Sequence, residues 1–346
     1  MVIPDFLERL GGFCHGRGLT GVSHHIAALG QFYLSDIQMI ESTVSAMPRT
    51  DHSVMKTAIH LLDLGGKRLR PLCVALASRV GNGFSGAACE LAVAAELIHS
   101  ATLLHDDVVD VGETRRGAPT ARRVYGNAAA IFAGDWLIVE ALRRVRLAKV
   151  PNVLDRLLDT LHEMILAESL QLENRGRLSA GRERYFQIVE GKTASLFRWA
   201  LFSGGCAGGL TEADCTALDQ YGFHLGVAFQ LIDDLLDLTG DESLTGKSIG
   251  IDLREGKVTY PLIVALERDP VLGRTLERLM AENDETEAPT VQEIIATLYR
   301  TNSIDDCRTM ARHRAERAVQ CLAHLPPNDA TQALKSVAIA AVERAG

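Results

Sequence analysis

Apolar residues recur every three or four positions along most of this chain. The period runs through long segments such as 86–111 and 211–239. One face of an α-helix repeats at this spacing, whereas a half-buried β-strand alternates apolar and polar residues. Alternating runs rich in Val, Ile and Thr between tight turns do not recur. The sequence therefore predicts an all-α protein, and its length permits one large domain or two smaller ones.

Glycine, proline and polar stretches separate the predicted helices. Gly65 and Gly66 end one helix, and Pro71 lies in the first turn of the next, where proline is tolerated. The predicted loops are 81–86, 238–256 and 281–289. The predicted helices are 31–46, 51–62, 68–81, 86–111, 119–147, 152–174, 181–203, 211–239, 256–269, 290–300, 302–324 and 328–345.

Composition narrows the class of protein. Of the 346 residues, 47% are hydrophobic and 23% are charged, which is typical of a globular protein with a large core. The net charge of −8 argues against a nucleic-acid partner, because phosphate backbones bind net positive surfaces. The net charge does not exclude a local basic site that binds a small phosphorylated ligand.

The cysteines and the N-terminus bear on location. The cysteines are scattered and never form a C-x-x-C pair, so neither a disulfide framework nor a zinc site is indicated. There is no signal peptide and no run of about 18 apolar residues. We therefore expect a cytoplasmic protein without a transmembrane segment. Residues 1–25 are predicted to be a poorly ordered extension, and 26–346 to form the domain.

The strongest chemical signal is a repeated aspartate pattern. The first aspartate motif (LLHDDVVD) contains Asp106, Asp107 and Asp110, and the second (QLIDDLLD) contains Asp233, Asp234 and Asp237. Residues four apart share a helix face, so the outer two aspartates of each motif point the same way. Oxygen ligands of this kind suit Mg²⁺, which is often shared with a substrate phosphate. A solvated charged face or helix-end capping is the alternative, but two copies embedded in leucine and valine favour the metal.

Basic residues flank both motifs in glycine-containing segments. A single basic cluster is usually solvated surface, whereas several beside acidic helices favour a diphosphate site. The clusters are GGKRLRP with Lys67, Arg68 and Arg70, GETRRG with Arg115 and Arg116, GKTASLF with Lys192 and Thr193, and GKSIGIDLREGK with Lys247 and Lys257.

Together these motifs resemble the trans-isoprenyl diphosphate synthase (polyprenyl synthetase) family. The matching segments, in family order over residues 65–262, are GGKRLRP, HSATLLHDDVVD with RRG, GKTASLF, FQLIDDLLD and GKSIGIDLREGKVTYPL. The resemblance implies an isoprenoid synthase type of fold, a large single-domain helical bundle around a central cavity, and a homodimer. It also implies an enzyme that joins isopentenyl diphosphate to an allylic diphosphate. The implied cofactor is Mg²⁺, about three ions per active site, shared with the substrate diphosphate.

The resemblance also implies site residues by position. The magnesium ligands would be Asp106, Asp110, Asp233 and Asp237. The allylic diphosphate would be held by Arg115, Lys192, Thr193, Gln230, Lys247 and Lys257. Isopentenyl diphosphate would be held by Lys67, Arg70, His99 and Arg116. Catalysis would depend most on Asp106, Asp110, Asp233, Lys192 and Arg115.

His99 also has support from its register. It lies seven residues before Asp106, two helical turns away, so both face the same side of one helix. A lone histidine on an apolar helix is more often a core residue, but this register favours binding of a ligand. In the implied reaction the isopentenyl double bond attacks an allylic cation and a proton passes to the released diphosphate. The protein positions the charges and excludes water, without a nucleophile of its own.

Product length would depend on an apolar tunnel running down from the metals. In this family bulky residues just before the first aspartate motif close the tunnel, but Ala101 and Thr102 are small here. This favours a product of about C30 to C50 and transient membrane contact for its release. Phe132 and Trp136 are either a deeper floor of the tunnel or ordinary core aromatics.

Other functions remain to be weighed. A geranylgeranyl-type short-chain synthase would differ only in product length. A non-catalytic partner subunit of a heteromeric synthase would usually lack aspartates that are all present here. A terpene cyclase shares the ionisation step, but GGKRLRP and the intact second aspartate motif argue against it.

Overall fold

The computed structural model describes residues 20–66, 68–179, 181–239, 250–281 and 287–343. It confirms the all-α prediction for these ranges, where helices form nearly all regular structure. In chain order the helices are α1 Thr20–Ser45, α2 Ser53–Asp63, α3 Leu69–Val80, α4 Gly86–Val109, α5 Ala121–Tyr125, α6 Asn127–Ala148, α7 Val153–Asn174, α8 Arg182–Val189, α9 Ser195–Ala207, α10 Glu212–Thr239, α11 Ile251–Arg254, α12 Tyr260–Arg268, α13 Leu272–Ala281, α14 Glu287–Arg300, α15 Ser303–Cys321 and α16 Asp329–Glu343.

Two shorter elements interrupt the helices. A π-helical turn, Glu190–Ala194, joins α8 directly to α9. A small hairpin pairs β1 (Thr114–Arg115) with β2 (Ala118–Pro119). The loop residues Arg116 and Gly117 both have positive φ, 55° and 78°, as a two-residue hairpin turn requires. The sequence pattern had not predicted this hairpin, because each strand has only two residues.

Helix α4 is among the most apolar helices that the structure describes. It begins at Ser85, whose hydroxyl accepts a hydrogen bond from the Ala88 N–H at 3.2 Å. By length and composition it would be able to cross a membrane, but 72% of its apolar window is buried inside the protein. Leu91, Leu97 and Ile98 are completely buried. A helix that is apolar all round belongs to a core, and α4 is such a core helix.

Contacts divide the chain into two compact units. The first unit comprises residues 1–158, 196–220 and 321–337, and within it α4 packs along α3 and α6. Helices α4 and α6 approach closely at Gly134, where a Cβ atom would lie 2.2 Å from Nε2 of His105. A side chain at position 134 would have to displace the His105 ring, so the glycine lets the end of α4 lie close to α6.

The second unit comprises residues 159–195, 221–320 and 338–346. Its core joins α10, α12 and α14, and completely buried side chains there include Leu231, Leu235, Val264, Ile294 and Leu298. These positions follow the helical period that the sequence shows. The single-domain boundary at residue 26 stays a prediction, because residues 1–19 lie outside the described part of the chain; residues 20–25 belong to α1.

Some predicted helices have different bounds. The predicted helix 119–147 is two helices, because Gly126 has φ 88° and separates α5 from α6. Helix α11 lies in the predicted loop 238–256. Helix α13 was not predicted, because Leu272–Ala281 is only ten residues long and its apolar residues are confined to one narrow stripe.

Candidate active site

The first aspartate motif lies at the C-terminal end of α4. Asp106 and Asp107 are in its last turn, and Asp110 follows it as the C-cap, with its N–H bonded to the Asp106 carbonyl at 2.8 Å. Asp106 and Asp110 are partly exposed, whereas Asp107 is 2% exposed. The outer pair therefore reaches solvent and the middle aspartate belongs to the interior.

Asp107 is held by a buried salt bridge. Its Oδ1 accepts from Nε of Arg115 at 2.8 Å and lies 2.7 Å from Nη2 of the same guanidinium. Arg115 lies eight residues after Asp107, at the end of the first strand of the hairpin. The second carboxylate oxygen of Asp107, Oδ2, is buried without a hydrogen bond in the described structure.

The predicted isopentenyl diphosphate residues that the structure describes lie together. His99 is partly buried, and burial together with the charges of Arg70, Arg116 and Arg115 lowers its pKa well below 6.5. The guanidinium of Arg116 lies against Gly66, where a Cβ atom would be 2.7 Å from Nη2. His99 is therefore a neutral imidazole among several cations. Lys67, the remaining predicted member, lies outside the described residues.

Arg68 has a structural role. It is 5% exposed and forms salt bridges to Glu96 and, at 2.7 Å, to Glu41. Two carboxylates satisfy its guanidinium inside the protein, so Arg68 is not offered to a ligand. This agrees with its omission from the predicted site.

The three predicted chain-length residues lie in different surroundings. Ala101 is completely buried, and the Thr102 hydroxyl donates to the His99 carbonyl at 2.8 Å. Phe132 is 59% exposed, so it does not belong to the interior of its own unit. Its role as a tunnel floor stays a prediction that depends on what covers this surface.

The second aspartate motif lies near the C-terminal end of α10. Asp233 and Asp237 are partly exposed, whereas Asp234 is 3% exposed. The carboxylate oxygens of Asp237 accept hydrogen bonds from the N–H groups of Ile251 and Asp252, both at 3.2 Å. Asp237 therefore fixes the start of α11 against α10.

Asp234 is bonded to neutral groups. Its Oδ2 accepts from the Tyr185 hydroxyl at 2.6 Å, and its Oδ1 accepts from Nε2 of Gln230 at 2.7 Å. Burial, aided by the nearby charge of Asp252, raises the pKa of Asp234 to about 8. The Oε1 atom of Gln230 in turn accepts from the Thr193 hydroxyl at 2.8 Å.

These groups line a cavity of the second unit with a volume of about 130 Å³. Its wall combines cations, carboxylates and neutral donors. The polar lining residues are Gln171, Asn174, Arg175, Arg184, Tyr185, Lys192, Thr193, Gln230, Asp234, Asp252, Lys257 and Thr259. Four predicted allylic diphosphate residues, Lys192, Thr193, Gln230 and Lys257, are thus brought to one cavity. Lys247 lies outside the described residues, and Arg115 belongs to the first unit.

Acidic side chains neutralise the two cavity lysines. Lys192 forms a 2.5 Å salt bridge with Glu168, and Lys257 forms one of 2.5 Å with Glu255. The buried atoms Oε1 of Glu168 and Nε2 of Gln171 have no hydrogen-bond partner in the described structure. Buried polar atoms without partners are rare in a complete protein, and Gln171 lines the cavity, where a polar ligand would satisfy its Nε2.

The residues present fit a divalent cation held together with a ligand. Both motifs offer partly exposed carboxylate oxygens, the donors that Mg²⁺ prefers. Within the described residues no group of three or more His, Cys, Asp or Glu side chains forms a metal site alone. Further oxygens would therefore come from water or from a bound phosphate, as is usual for Mg²⁺.

Sequence reasoning missed several polar residues of this cavity. Tyr185 and Gln171 lie in helical segments where they look like ordinary helix residues, and each reaches the cavity only through the fold. Asp252 was inside the segment DLREGK, but the predicted loop hid its place at the start of α11. The one sequence signal for Asp252 as a site residue was its acidic side chain near Lys257.

Comparison with known proteins places the chain in a family. The family model described as Polyprenyl synthetase matches residues 51–298. Octaprenyl diphosphate synthase of Haemophilus influenzae is 34% identical over 89% of this chain and 94% of its own length. All-trans-nonaprenyl-diphosphate synthase (geranyl-diphosphate specific) of Rhodobacter capsulatus is 35% identical over 92% of this chain and 97% of its own.

A solved structure agrees with these relatives. Polyprenyl synthase from Caulobacter crescentus, complexed with calcium and isoprenyl diphosphate, superposes with a TM-score of 0.86 at 34% identity, covering 92% of this chain and 97% of that one. The chain belongs to the polyprenyl synthetase family and has its all-α isoprenoid synthase fold. It is a trans-prenyltransferase of isoprenoid biosynthesis. The names of its relatives range from short-chain to nonaprenyl synthases.

Proposed function

We propose that this enzyme uses Mg²⁺ to join isopentenyl diphosphate to an allylic diphosphate and makes an all-trans polyprenyl diphosphate of about C30 to C50. The observation that carries the proposal is the second unit's cavity, where Lys192, Thr193, Gln230 and Lys257 meet beside the second aspartate motif. Such a wall of cations and amide donors suits a diphosphate. We propose that these residues, with Arg115 and Lys247, hold the allylic diphosphate.

Bound Mg²⁺ would neutralise the diphosphate and make it a better leaving group. Asp106, Asp110, Asp233 and Asp237 are the proposed ligands, because each presents partly exposed carboxylate oxygens. Asp237 would bind metal while it also accepts the α11 N–H groups. Three ions per site, as many as the resemblance implies, would then be completed by diphosphate and water oxygens.

Arg70, His99 and Arg116, with Lys67, are the proposed site for isopentenyl diphosphate. A neutral His99 can donate a hydrogen bond to a phosphate oxygen without adding a further charge to the arginines. The cations hold the diphosphate, and the apolar end of the substrate is left for the reaction. Because α4 carries both His99 and the first aspartate motif, one helix would position both.

A homodimer is part of the proposal. Helix α6 exposes Ile131, Phe132, Val139 and Leu147, with between 41% and 61% of each residue accessible. Large apolar side chains repeated along one helix mark a surface that another protein covers. A second copy of this chain is the proposed partner, and it would also cover Phe132. Light scattering that gives a monomer at micromolar concentration would contradict this part.

The reaction is tested by product analysis. The purified protein is incubated with Mg²⁺, farnesyl diphosphate and labelled isopentenyl diphosphate, and the dephosphorylated products are sized. A ladder ending between C30 and C50 supports both reaction and length, because Ala101 and Thr102 leave the space below the first motif open. An end at C20 keeps the reaction but favours the short-chain alternative. No incorporation by the folded protein favours the partner-subunit alternative.

The cytoplasmic location also stays a prediction, to be tested by cell fractionation.

A further inference from the structure

The buried face of the second aspartate motif forms a continuous chain of hydrogen bonds. Tyr185 donates to Asp234, Gln230 donates to the other oxygen of Asp234, and Thr193 donates to Gln230, with distances of 2.6, 2.7 and 2.8 Å. The chain begins at the buried Tyr185 and runs along the cavity wall to Thr193. None of the motifs that resemble the family includes Tyr185.

The chain joins two elements at two points. Gln230 and Asp234 are four residues apart on α10 and therefore share a face. Tyr185 lies on α8, and Thr193 lies on the π-helical turn that follows it. One bridge fixes α8 to α10, and the other fixes the π-helical turn to α10. Single π-helical turns often occur at functional sites, because they displace a side chain from the regular helical register.

Tyr185 is itself rigidly placed. Its ring packs against Phe186 and Tyr260, with centroids 5.3 and 5.7 Å away, and it is 7% exposed. A tyrosine has few rotatable bonds, whereas a glutamine side chain is flexible unless it is bonded. The aromatic cluster can therefore set the orientation of Gln230 only through Asp234. All four side chains line the cavity, but Tyr185, Asp234 and Thr193 are buried, whereas Gln230 is partly exposed.

We propose that Tyr185 and Asp234 are positioning residues, which orient Gln230 and Thr193 for the allylic diphosphate while Asp234 itself binds neither metal nor substrate. This inference rests on the proposed function of the cavity. It assigns the middle aspartate of the second motif a different task from its neighbours. Asp234 acts through its hydrogen bonds. Asparagine at this position should therefore preserve its function, whereas alanine should not.

The test measures KM for each substrate separately in Tyr185→Phe. The variant keeps the ring and removes the hydroxyl, so the KM for the allylic diphosphate should rise about fivefold, while the KM for isopentenyl diphosphate stays unchanged. Tyr260→Phe is the matched control. Tyr260 belongs to the same aromatic cluster and is 2% exposed, but its hydroxyl accepts a 3.4 Å hydrogen bond from Arg182. Its two KM values should match those of the wild type.

A second pair of variants separates positioning from metal binding. Asp234→Ala should raise the allylic KM about tenfold or more, whereas Asp234→Asn should stay within about threefold of the wild type, because an amide can still bond to both neighbours. Binding of inorganic diphosphate with Mg²⁺, followed by calorimetry, should weaken in the same order. This second readout does not depend on turnover.

Clear outcomes would overturn the inference. A Tyr185→Phe enzyme with both KM values unchanged, or with both raised equally, would leave Tyr185 as a structural residue only. Asp234→Asn as inactive as Asp233→Asn would make Asp234 a ligand of the metal. If the wild-type enzyme itself incorporates no isopentenyl diphosphate, the proposed function fails, and that result is read before any variant is compared.

Discussion

The two aspartate motifs have the same spacing but different surroundings. In both, the outer aspartates are partly exposed and the middle one is buried. In the first motif the middle aspartate is neutralised by the guanidinium of Arg115. In the second motif it is bonded to an uncharged hydroxyl and an uncharged amide. The two motifs thus share the pattern of exposed and buried carboxylates. They differ in how the buried carboxylate is stabilised, by a cation in the first motif and by neutral hydrogen-bond donors in the second.

The third aspartates differ as well. Asp110 ends its helix, and its own N–H is bonded to the Asp106 carbonyl. Asp237 instead accepts two N–H groups at the start of α11. A carboxylate at a helix start is favourable, because the first N–H groups of a helix lack partners. Asp237 thus has a structural task even in the absence of metal.

The largest effect on turnover is expected for the first aspartate of each motif. Asp106→Asn and Asp233→Asn should each lower turnover by about 1000-fold or more, because each removes a charged oxygen ligand. Asp234→Asn should remain within about tenfold of the wild type, since the middle aspartate acts through hydrogen bonds. Steady-state turnover with saturating substrates is the measurement.

Asp305→Asn is the control for this series. Asp305 is an exposed carboxylate on α15, paired only with Arg308 three residues along the same helix. Its turnover should equal that of the wild type. Equal losses of turnover in Asp233→Asn and Asp234→Asn would mean that the exposed and the buried aspartate do not differ in role.

The two buried middle aspartates, Asp107 and Asp234, should also differ in how much the protein is destabilised when the partner of each is removed. Arg115→Met leaves the buried Asp107 charge without its cation and should lower the free energy of unfolding by about 3 kcal/mol. Tyr185→Phe removes one neutral hydrogen bond and should lower it by about 1 kcal/mol. Urea unfolding of the metal-free protein measures both. The double variant Asp107→Asn/Arg115→Met should recover part of the first loss, and no recovery would show that Arg115 acts through other contacts.

Much of this site could be predicted from the sequence, and the limit is physical. The helical period predicted α4 and α10, and the i, i+4 spacing placed the outer aspartates of each motif on one face. These are local relations within one helix. The partner of Asp107 is only eight residues away, and Arg115 was already a candidate from its cluster.

The remaining part depends on distant contacts. Tyr185 and Asp234 are 49 residues apart, and Thr193 and Gln230 are 37 apart. No periodicity relates such residues, because their contact depends on how α8 and the π-helical turn pack on α10. The split at Gly126 was missed for a different reason, since the positive φ of one glycine does not change the apolar period around it.

A further prediction concerns the pH dependence of stability, where His99 and Asp234 should act with opposite sign. His99 has a lowered pKa when folded, so the unfolded chain binds more protons below about pH 6.5, and its contribution to stability is lost as the pH falls. Asp234 has a raised pKa of about 8 when folded, so the folded protein holds more protons above about pH 4, and its contribution is lost as the pH rises to about 8. Each slope is at most about 1.4 kcal/mol per pH unit.

The two slopes oppose each other between about pH 5 and 6.5, and only that of Asp234 remains from 6.5 to 8. His224, whose pKa is lowered to about 4 mainly by burial, adds a second slope of the same sign as that of His99. Urea unfolding of the metal-free protein should therefore give a free energy that rises with pH in the lower window and falls in the upper window. His99→Gln should remove most of the rise below pH 6.5, because the slopes of His224 and Asp234 then oppose each other. Asp234→Asn should abolish the fall above pH 6.5 and leave stability that rises with pH below it. If both variants keep the wild-type profile, the histidine and the aspartate titrate alike in the folded and unfolded states, and the electrostatic difference between the two regions disappears.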